Sequence, residues 1–139
     1  MSESYSVLSQ FETEMENWKK IVVFIQDENI LLKNRLSGML KDNSDSYPVF
    51  MERIEYFHDL LLKEDEITIF LRHEINHQKK MLERELARNG TPPVKQISWL
   101  QKKLGNMVLL AAQNFNKLKI EFNNYLGELL LYKAAGSTC

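Results

Sequence analysis

The five residues His73-Glu74-Ile75-Asn76-His77 have the types and spacing of a possible catalytic site. Residues four apart lie on one face of a helix, so His73 and His77 could bind the same zinc ion. Glu74, which follows the first histidine, could then act as a general base toward a zinc-bound water. The chemistry that this spacing would support is metal-assisted hydrolysis.

This H-E-x-x-H pattern resembles the signature of zincin metallopeptidases, and the resemblance implies His73 and His77 as ligands and Glu74 as the base. It covers five of the 139 residues. A catalytic zinc needs a third protein ligand, and no histidine follows His77. The next carboxylates, Glu83 and Glu85, lie about 9 to 12 Å further along the same predicted helix. The pattern therefore favours a solvated helix face, and metal binding stays an alternative.

A second pair of motifs, Glu55-x-x-His58 and Glu74-x-x-His77, has the Glu-x-x-His spacing of ferritin-like di-iron bundles. Those bundles carry the two motifs on different helices. Here the motifs are separated by about 28 Å along one predicted helix, and no Gly or Pro between them supports a turn. We therefore expect no catalytic, cofactor-binding or metal-ligating residues, no cofactor and no enzymatic activity.

The elements that carry these residues are predicted helices, because apolar residues alternate three and four apart over long stretches. The first such seam consists of Leu8, Phe11, Met15, Trp18, Val22, Ile25, Asn29, Leu32, Leu36 and Met39. The second consists of Phe50, Ile54, Phe57, Leu61, Glu64, Thr68, Leu71, Ile75, Gln78 and Leu82. The third consists of Leu104, Val108, Ala111, Phe115, Leu118, Phe122, Tyr125, Leu129 and Tyr132.

Two segments with turn chemistry separate the three seams, at 41–48 and 89–93. For the first, we expect Ser46 or Tyr47 as N-cap and Pro48 in the first turn of the next helix. For the second, we expect a left-handed Gly90, Thr91 as N-cap and Pro92 as the first helical residue.

The sequence thus predicts an all-α chain that folds as one domain over residues 1–139. Helices are expected near 6–40, 47–89 and 93–133, with a frayed tail at 134–139. Short connections between long seams favour an elongated antiparallel three-helix bundle with coiled-coil-like heptad packing. This architecture resembles that of spectrin-type three-helix repeats.

The first two helices carry more apolar surface than a three-helix core can cover. Residues 21–25, 30–32, 60–62 and 69–71 are apolar around the whole helix. Large exposed apolar patches are unusual on monomers, so we expect a homodimer that covers these segments. A wide core with a few exposed Leu and Ile is the alternative.

Asn29 is the one polar residue in the first seam. Folding the chain over its two connections brings Asn29, His58 and Tyr125 to about the same height, where we expect a hydrogen-bonded polar layer. On this hypothesis, replacing Asn29 with Leu raises the melting temperature and loosens the helix alignment. An Asn29 turned toward solvent is the alternative.

Charge is balanced overall, with a formal net charge of −1, but it is unevenly distributed. Residues 72–103 hold eight basic and three acidic side chains, which would attract a phosphate backbone. We expect Glu12, Glu14 and Glu16 of the first helix to neutralise these cations, and we expect no aromatic stacking platform among them.

The single cysteine, Cys139, favours a reducing compartment, and no apolar run is long enough for a membrane span. With no secretory signal pattern at the start, we expect a cytoplasmic protein without membrane binding. The predicted function is a non-enzymatic interaction or scaffold protein, which self-associates or binds another protein through helix faces. The alternatives are a metal-binding protein or hydrolase using His73, Glu74 and His77, and nucleic-acid binding through residues 72–103.

Overall fold

The computed structural model describes residues 2–43, 48–88 and 90–137, with side chains described in 5–41, 51–88 and 90–131. All regular structure in these ranges is helical, in the order α1 (Ser2–Asn43), α2 (Pro48–Ala87) and α3 (Val94–Ser137). At 1.5 Å per residue each helix is about 60 Å long. Within the described ranges, no helix has a stretch that is long and apolar enough to cross a bilayer.

The helix bounds differ from the predicted ones mainly at the outer ends. α1 starts at Ser2 and α3 continues to Ser137, so backbone 134–137 is helical where a frayed tail was predicted. Ala134 and Ala135 have high helix propensity, and no Pro interrupts them. α2 begins at Pro48 as predicted, whereas the expected caps Ser46 and Tyr47 lie outside the described residues, as does Cys139.

The second connection corrects two expectations at the start of α3. Gly90 itself has a positive φ of 157°, a value that favours glycine, although larger than the value of about +57° of the left-handed helical conformation. α3 begins at Val94, after both prolines, and the Pro93 carbonyl accepts a hydrogen bond from Ile97 N at 3.1 Å. Pro92 is not helical because the residue before a proline is disfavoured in the α region. Thr91 is therefore not the N-cap.

The three predicted seams form the interior of the bundle. Every seam residue with a described side chain is buried, apart from the half-buried Phe11, Trp18 and Met39. One apolar cluster contains Leu8, Met15, Val22, Leu71, Ile75, Leu82, Ile97, Leu104, Val108 and Ala111. A second contains Ile25, Leu32, Leu36, Ile54, Phe57, Leu61, Phe115, Leu118, Phe122 and Tyr125. Burial of these side chains is the main stabilising contribution to the fold.

Polar contacts at the rims connect α1 to both other helices. Toward α2, α1 donates hydrogen bonds from Tyr5 Oη to Leu86 O and from Lys33 to Asp65, and it accepts them at Glu16 from Lys79 and at Gln26 from Arg72. Toward α3 they are Glu28 to Lys119 and Arg35 to Asn123. The three helices therefore form one bundle in which α1 packs against both neighbours.

Gly105 allows α3 to approach the ring of Trp18 closely. A Cβ added at Gly105 would lie 2.7 Å from Trp18 Cζ2, well inside van der Waals contact. Although alanine is the better helix former by about 1 kcal/mol, overpacking costs typically 1 to 3 kcal/mol. We expect Gly105→Ala to lower the free energy of unfolding by about 1 kcal/mol, measured by urea denaturation.

Gly127→Ala is the matched control on the same helix, because nothing lies within 4 Å of its added Cβ. It should raise the free energy of unfolding by about 0.5 to 1 kcal/mol. Equal stabilisation by the two substitutions would contradict the close packing of Trp18 on Gly105.

Candidate functional site

The His73-Glu74-Ile75-Asn76-His77 motif lies in the C-terminal half of α2, where Ile75 is buried in the core. His73 and His77 are exposed, as predicted from the helical phase, and Glu74 is half-buried. Among the described side chains, no group of three or more His, Cys, Asp or Glu is arranged to hold a metal ion. The motif thus presents two histidines to solvent on the outer face of α2.

The second Glu-x-x-His motif lies on the same helix as the first. α2 runs without interruption from Pro48 to Ala87, so Glu55 and Glu74 remain about 28 Å apart within one chain. His58 is exposed and its Nδ1 lies 3.9 Å from Asp59 Oδ1. The structure does not bring the two motifs together.

Asn29 is buried, but its partners differ from the predicted ones. Its Nδ2 donates to Leu61 O at 2.9 Å and to Asp65 Oδ1 at 2.8 Å. Lys33 Nζ donates to the other oxygen of Asp65 at 2.6 Å. The polar contact therefore joins α1 to the flank of α2 on which Asp65 lies.

The expected layer of Asn29, His58 and Tyr125 is not observed, since His58 is exposed. Tyr125 is buried, and its ring centroid lies 5.3 Å from that of Phe57. His58 was predicted as a partner because it lies at about the same height along the bundle as Asn29. The side of α2 that faces Asn29 instead carries Leu61 and Asp65.

Glu64 is a buried carboxylate next to this polar contact. It is 7% exposed, and its Oε2 has no hydrogen-bond partner. Burial, and secondly the charge of Asp65, raise the pKa of Glu64 above its ordinary value of 4.5. Thr68, one turn further, is also buried and donates its hydroxyl to Asp65 O. The interior is therefore polar between the two apolar clusters.

The raised pKa of Glu64 gives a testable pH dependence. The native state binds the carboxyl proton of Glu64 more tightly than the unfolded chain does. The contribution of this proton to the free energy of unfolding is therefore complete below pH 4.5 and is lost as pH rises through the raised pKa. Glu64→Gln removes this loss. We expect the variant to gain stability relative to the wild type as pH rises from about 4.5 to neutral, measured by urea denaturation at each pH.

Glu55→Gln is the control for this measurement, since Glu55 is exposed on the same helix. Its stability should follow that of the wild type at every pH. A Glu64→Gln curve that is also parallel to the wild type would contradict the burial of an ionisable Glu64.

A second buried polar contact connects all three helices. Gln78 Nε2 of α2 donates to Gln101 Oε1 of α3 at 3.4 Å. Gln101 Nε2 in turn donates to Phe11 O of α1 at 3.1 Å and to Glu14 Oε2 at 3.4 Å. Both glutamines are almost fully buried. This contact fixes the relative height of the helices within one apolar cluster.

The basic region 72–103 is partly neutralised by α1. Lys79 Nζ lies 2.8 Å from Glu16 Oε1, and this hydrogen bond and charge lower the pKa of Glu16 and raise that of Lys79. Trp99, an aromatic residue within this region, is 64% exposed, and Lys103 Nζ lies 5.3 Å from its ring centroid. One aromatic side chain therefore does accompany the cations.

Large apolar side chains are exposed on all three helices. On α1 and α2 they are Tyr5, Ile21, Phe24, Ile30, Leu31, Tyr56, Leu62, Ile67, Ile69 and Phe70. On α3 they are Trp99, Leu100, Leu109, Leu110, Ile120, Leu130 and Leu131. Exposed apolar residues were predicted only for segments of the first two helices, although the apolar run 107–112 indicates the same for α3.

A concave apolar groove of about 360 Å³ lies between α2 and α3. Its walls are Ile67, Phe70 and Leu71 on one side and Met107, Leu110 and Ala111 on the other, with Glu66 and Asn114 at its edges. No described hydrogen bond or ion pair joins residues 60–74 of α2 to 103–117 of α3. The contacts of α1 with α2 and with α3, by contrast, each include several hydrogen bonds or ion pairs. We call this surface the α2–α3 groove.

The fold defines the class of this protein, an all-α three-helix bundle. No protein-family model matches the chain, and neither the curated proteins nor the solved structures include a match to it.

Proposed function

We propose that this chain is a non-enzymatic interaction or scaffold protein that self-associates through exposed helix faces. The observation that carries the proposal is the exposure of large apolar side chains in the middle of the bundle. Phe24 is 59% exposed, Ile69 62% and Leu110 57%. Monomers rarely expose apolar patches larger than a few hundred Å², and larger ones mark contact surfaces for other proteins.

The bundle of this proposal is antiparallel, with coiled-coil-like packing. Support comes from the rim contacts between α1 and α2, in which residue numbers rise along one helix as they fall along the other. These pairs are Glu16 with Lys79, Gln26 with Arg72 and Lys33 with Asp65. The burial of seams with three-four spacing supports the same packing.

Protein surfaces are the partners that suit this chemistry best. The α2–α3 groove is lined by aliphatic and aromatic side chains, which bind apolar side chains by excluding water. Its edges carry polar groups, as the rims of protein interfaces do. A cytoplasmic location belongs to the proposal and is supported by the single cysteine of the sequence.

Light scattering on a sizing column tests self-association of the full chain. We expect a molar mass that approaches twice the 16.4 kDa of one chain as the loaded concentration rises. Because the exposed faces are apolar, the dimer should persist in high salt, which screens charge but not apolar contact. A mass of 16.4 kDa at every concentration would overturn self-association.

A further inference from the structure

We propose that the α2–α3 groove is occupied by the same groove of a second copy of this chain, in a two-fold symmetric dimer. This inference rests on the proposed function and specifies the surface that self-association uses. It places Phe70 and Leu110 of each copy against the apolar wall of the other.

The α2 wall of the groove belongs to a regular stripe along the helix. Its members are Tyr56, Leu60, Lys63, Ile67, Phe70, Glu74, His77 and Met81, which alternate four and three residues apart. Ile67 and Phe70 form the apolar centre of the stripe. Lys63 lies four residues before Ile67, and Glu74 lies four residues after Phe70. A two-fold interface brings a surface against itself, so it requires this kind of self-complementarity.

The α3 wall continues the same arrangement. Its stripe consists of Leu100, Lys103, Met107, Leu110, Asn114 and Lys117. Met107 and Leu110 line the groove together with Ile67 and Phe70, so the apolar centres of both stripes share one level.

Two directions of the two-fold axis are compatible with a groove-to-groove contact, and both give opposite charges. With the axis across the helices, Ile67 faces the partner's Phe70 and Glu74 faces the partner's Lys63. With the axis along the helices, Glu74 faces the partner's Lys103. In each case Glu74 meets a lysine, and no like charges of the two stripes stand opposite one another.

The apolar area of the two stripes agrees with the size of a stable dimer interface. Ile67, Phe70 and Leu110 line the groove, whereas Tyr56 and Leu100 lie further along the stripes, and all five are between 37% and 57% exposed. Side chains of this size leave about 100 Å² each in water at that exposure, or about 500 Å² in all. A standard interface buries about 800 Å² per partner, of which a little over half is apolar.

The first test compares two adjacent positions by sedimentation equilibrium. Phe70→Glu places a charge in the groove and should raise the dimer dissociation constant about 30-fold, the effect of a central interface residue. Ile69→Glu is the matched control. Ile69 is 62% exposed on the same turn but does not line the groove, so its variant should dimerise like the wild type.

The second test uses charge reversal at Glu74. Glu74→Lys should weaken the dimer about 10-fold, and a second reversal in the same chain should restore it. Restoration by Lys63→Glu assigns the axis across the helices, and restoration by Lys103→Glu assigns it along them. Lys20→Glu, on α1, is the control reversal and should restore nothing.

The outcomes separate this inference from the proposed function. A dimer that Phe70→Glu and Glu74→Lys leave unchanged would overturn the groove-to-groove contact while self-association through another helix face stands. Failure of both Lys63→Glu and Lys103→Glu to restore the Glu74→Lys dimer would also overturn it. A wild type that remains monomeric would overturn both proposals.

Discussion

Replacing Phe57 with Ala should lower the free energy of unfolding by about 3 to 5 kcal/mol, the largest effect that we expect from one substitution. Phe57 is fully buried, and its ring centroid lies 5.4 Å from that of Phe122, in an edge-to-face contact, and 5.3 Å from that of Tyr125. Truncation removes this contact between α2 and α3 and leaves a cavity in one apolar cluster. Urea denaturation followed by circular dichroism measures the change.

Phe24→Ala is the control of the same chemistry on the surface. Phe24 is 59% exposed, so its truncation leaves no cavity and should change the free energy of unfolding by less than about 1 kcal/mol. Equal effects of the two truncations would contradict the packing of α2 against α3 around Phe57.

Replacing Asn29 with Leu should lower the free energy of unfolding by about 2 kcal/mol. This reverses the expectation from sequence, because Asn29 donates to the carboxylate of Asp65 as well as to Leu61 O. Leu would cover the carboxylate of Asp65 without offering a donor, and Lys33 alone would remain as its partner. Asn29→Asp should be more damaging, since it places a buried carboxylate beside the half-buried carboxylate of Asp65.

Asn34→Leu provides the control for these variants, since Asn34 is exposed on the same helix. Its stability should remain within about 0.5 kcal/mol of the wild type. If Asn29→Leu instead melts at a higher temperature than the wild type, the hydrogen bond to Asp65 contributes less than the polar group costs to bury.

The interior of the bundle could be predicted from the sequence because helical periodicity leaves little freedom. A side chain every three or four residues faces the same way, so the seams that begin at Leu8 and Leu104 could only be buried together. The polar seam residues Glu64, Thr68 and Gln78 were also placed correctly by phase, and all three are buried. Periodicity assigned these positions to the interior in spite of their polarity.

The polar partners could not be predicted, because they depend on how each helix is rotated about its axis. His58 and Tyr125 were predicted as partners of Asn29 from their height along the bundle alone. The rotation of α2 about its axis instead brings Asp65 next to Asn29. The prediction that α3 starts at Pro92 was wrong for a local reason, because Pro93 disfavours a helical conformation at Pro92. The consequence of each error was limited to one contact or one turn.

The candidate surface was predicted in part. Of the apolar runs noted in the sequence, only 69–71 lines the groove, through Phe70 and Leu71, and the groove also needs Met107 and Leu110 of α3. Which exposed faces combine into one concave surface depends on the order of the helices around the bundle. Sequence periodicity does not specify that order.

Interchain disulfide formation tests the groove-to-groove dimer most directly. In a Cys139→Ser background, Glu74→Cys protein is mixed with Lys63→Cys protein, or with Lys103→Cys protein, and oxidised mildly. Disulfides require Cα atoms within about 7 Å, so they report the facing residues rather than association alone. If the two grooves face each other, a mixed disulfide dimer forms in one of these mixtures, well above the yield from Glu74→Cys alone. No mixed dimer in either mixture would contradict the groove-to-groove dimer.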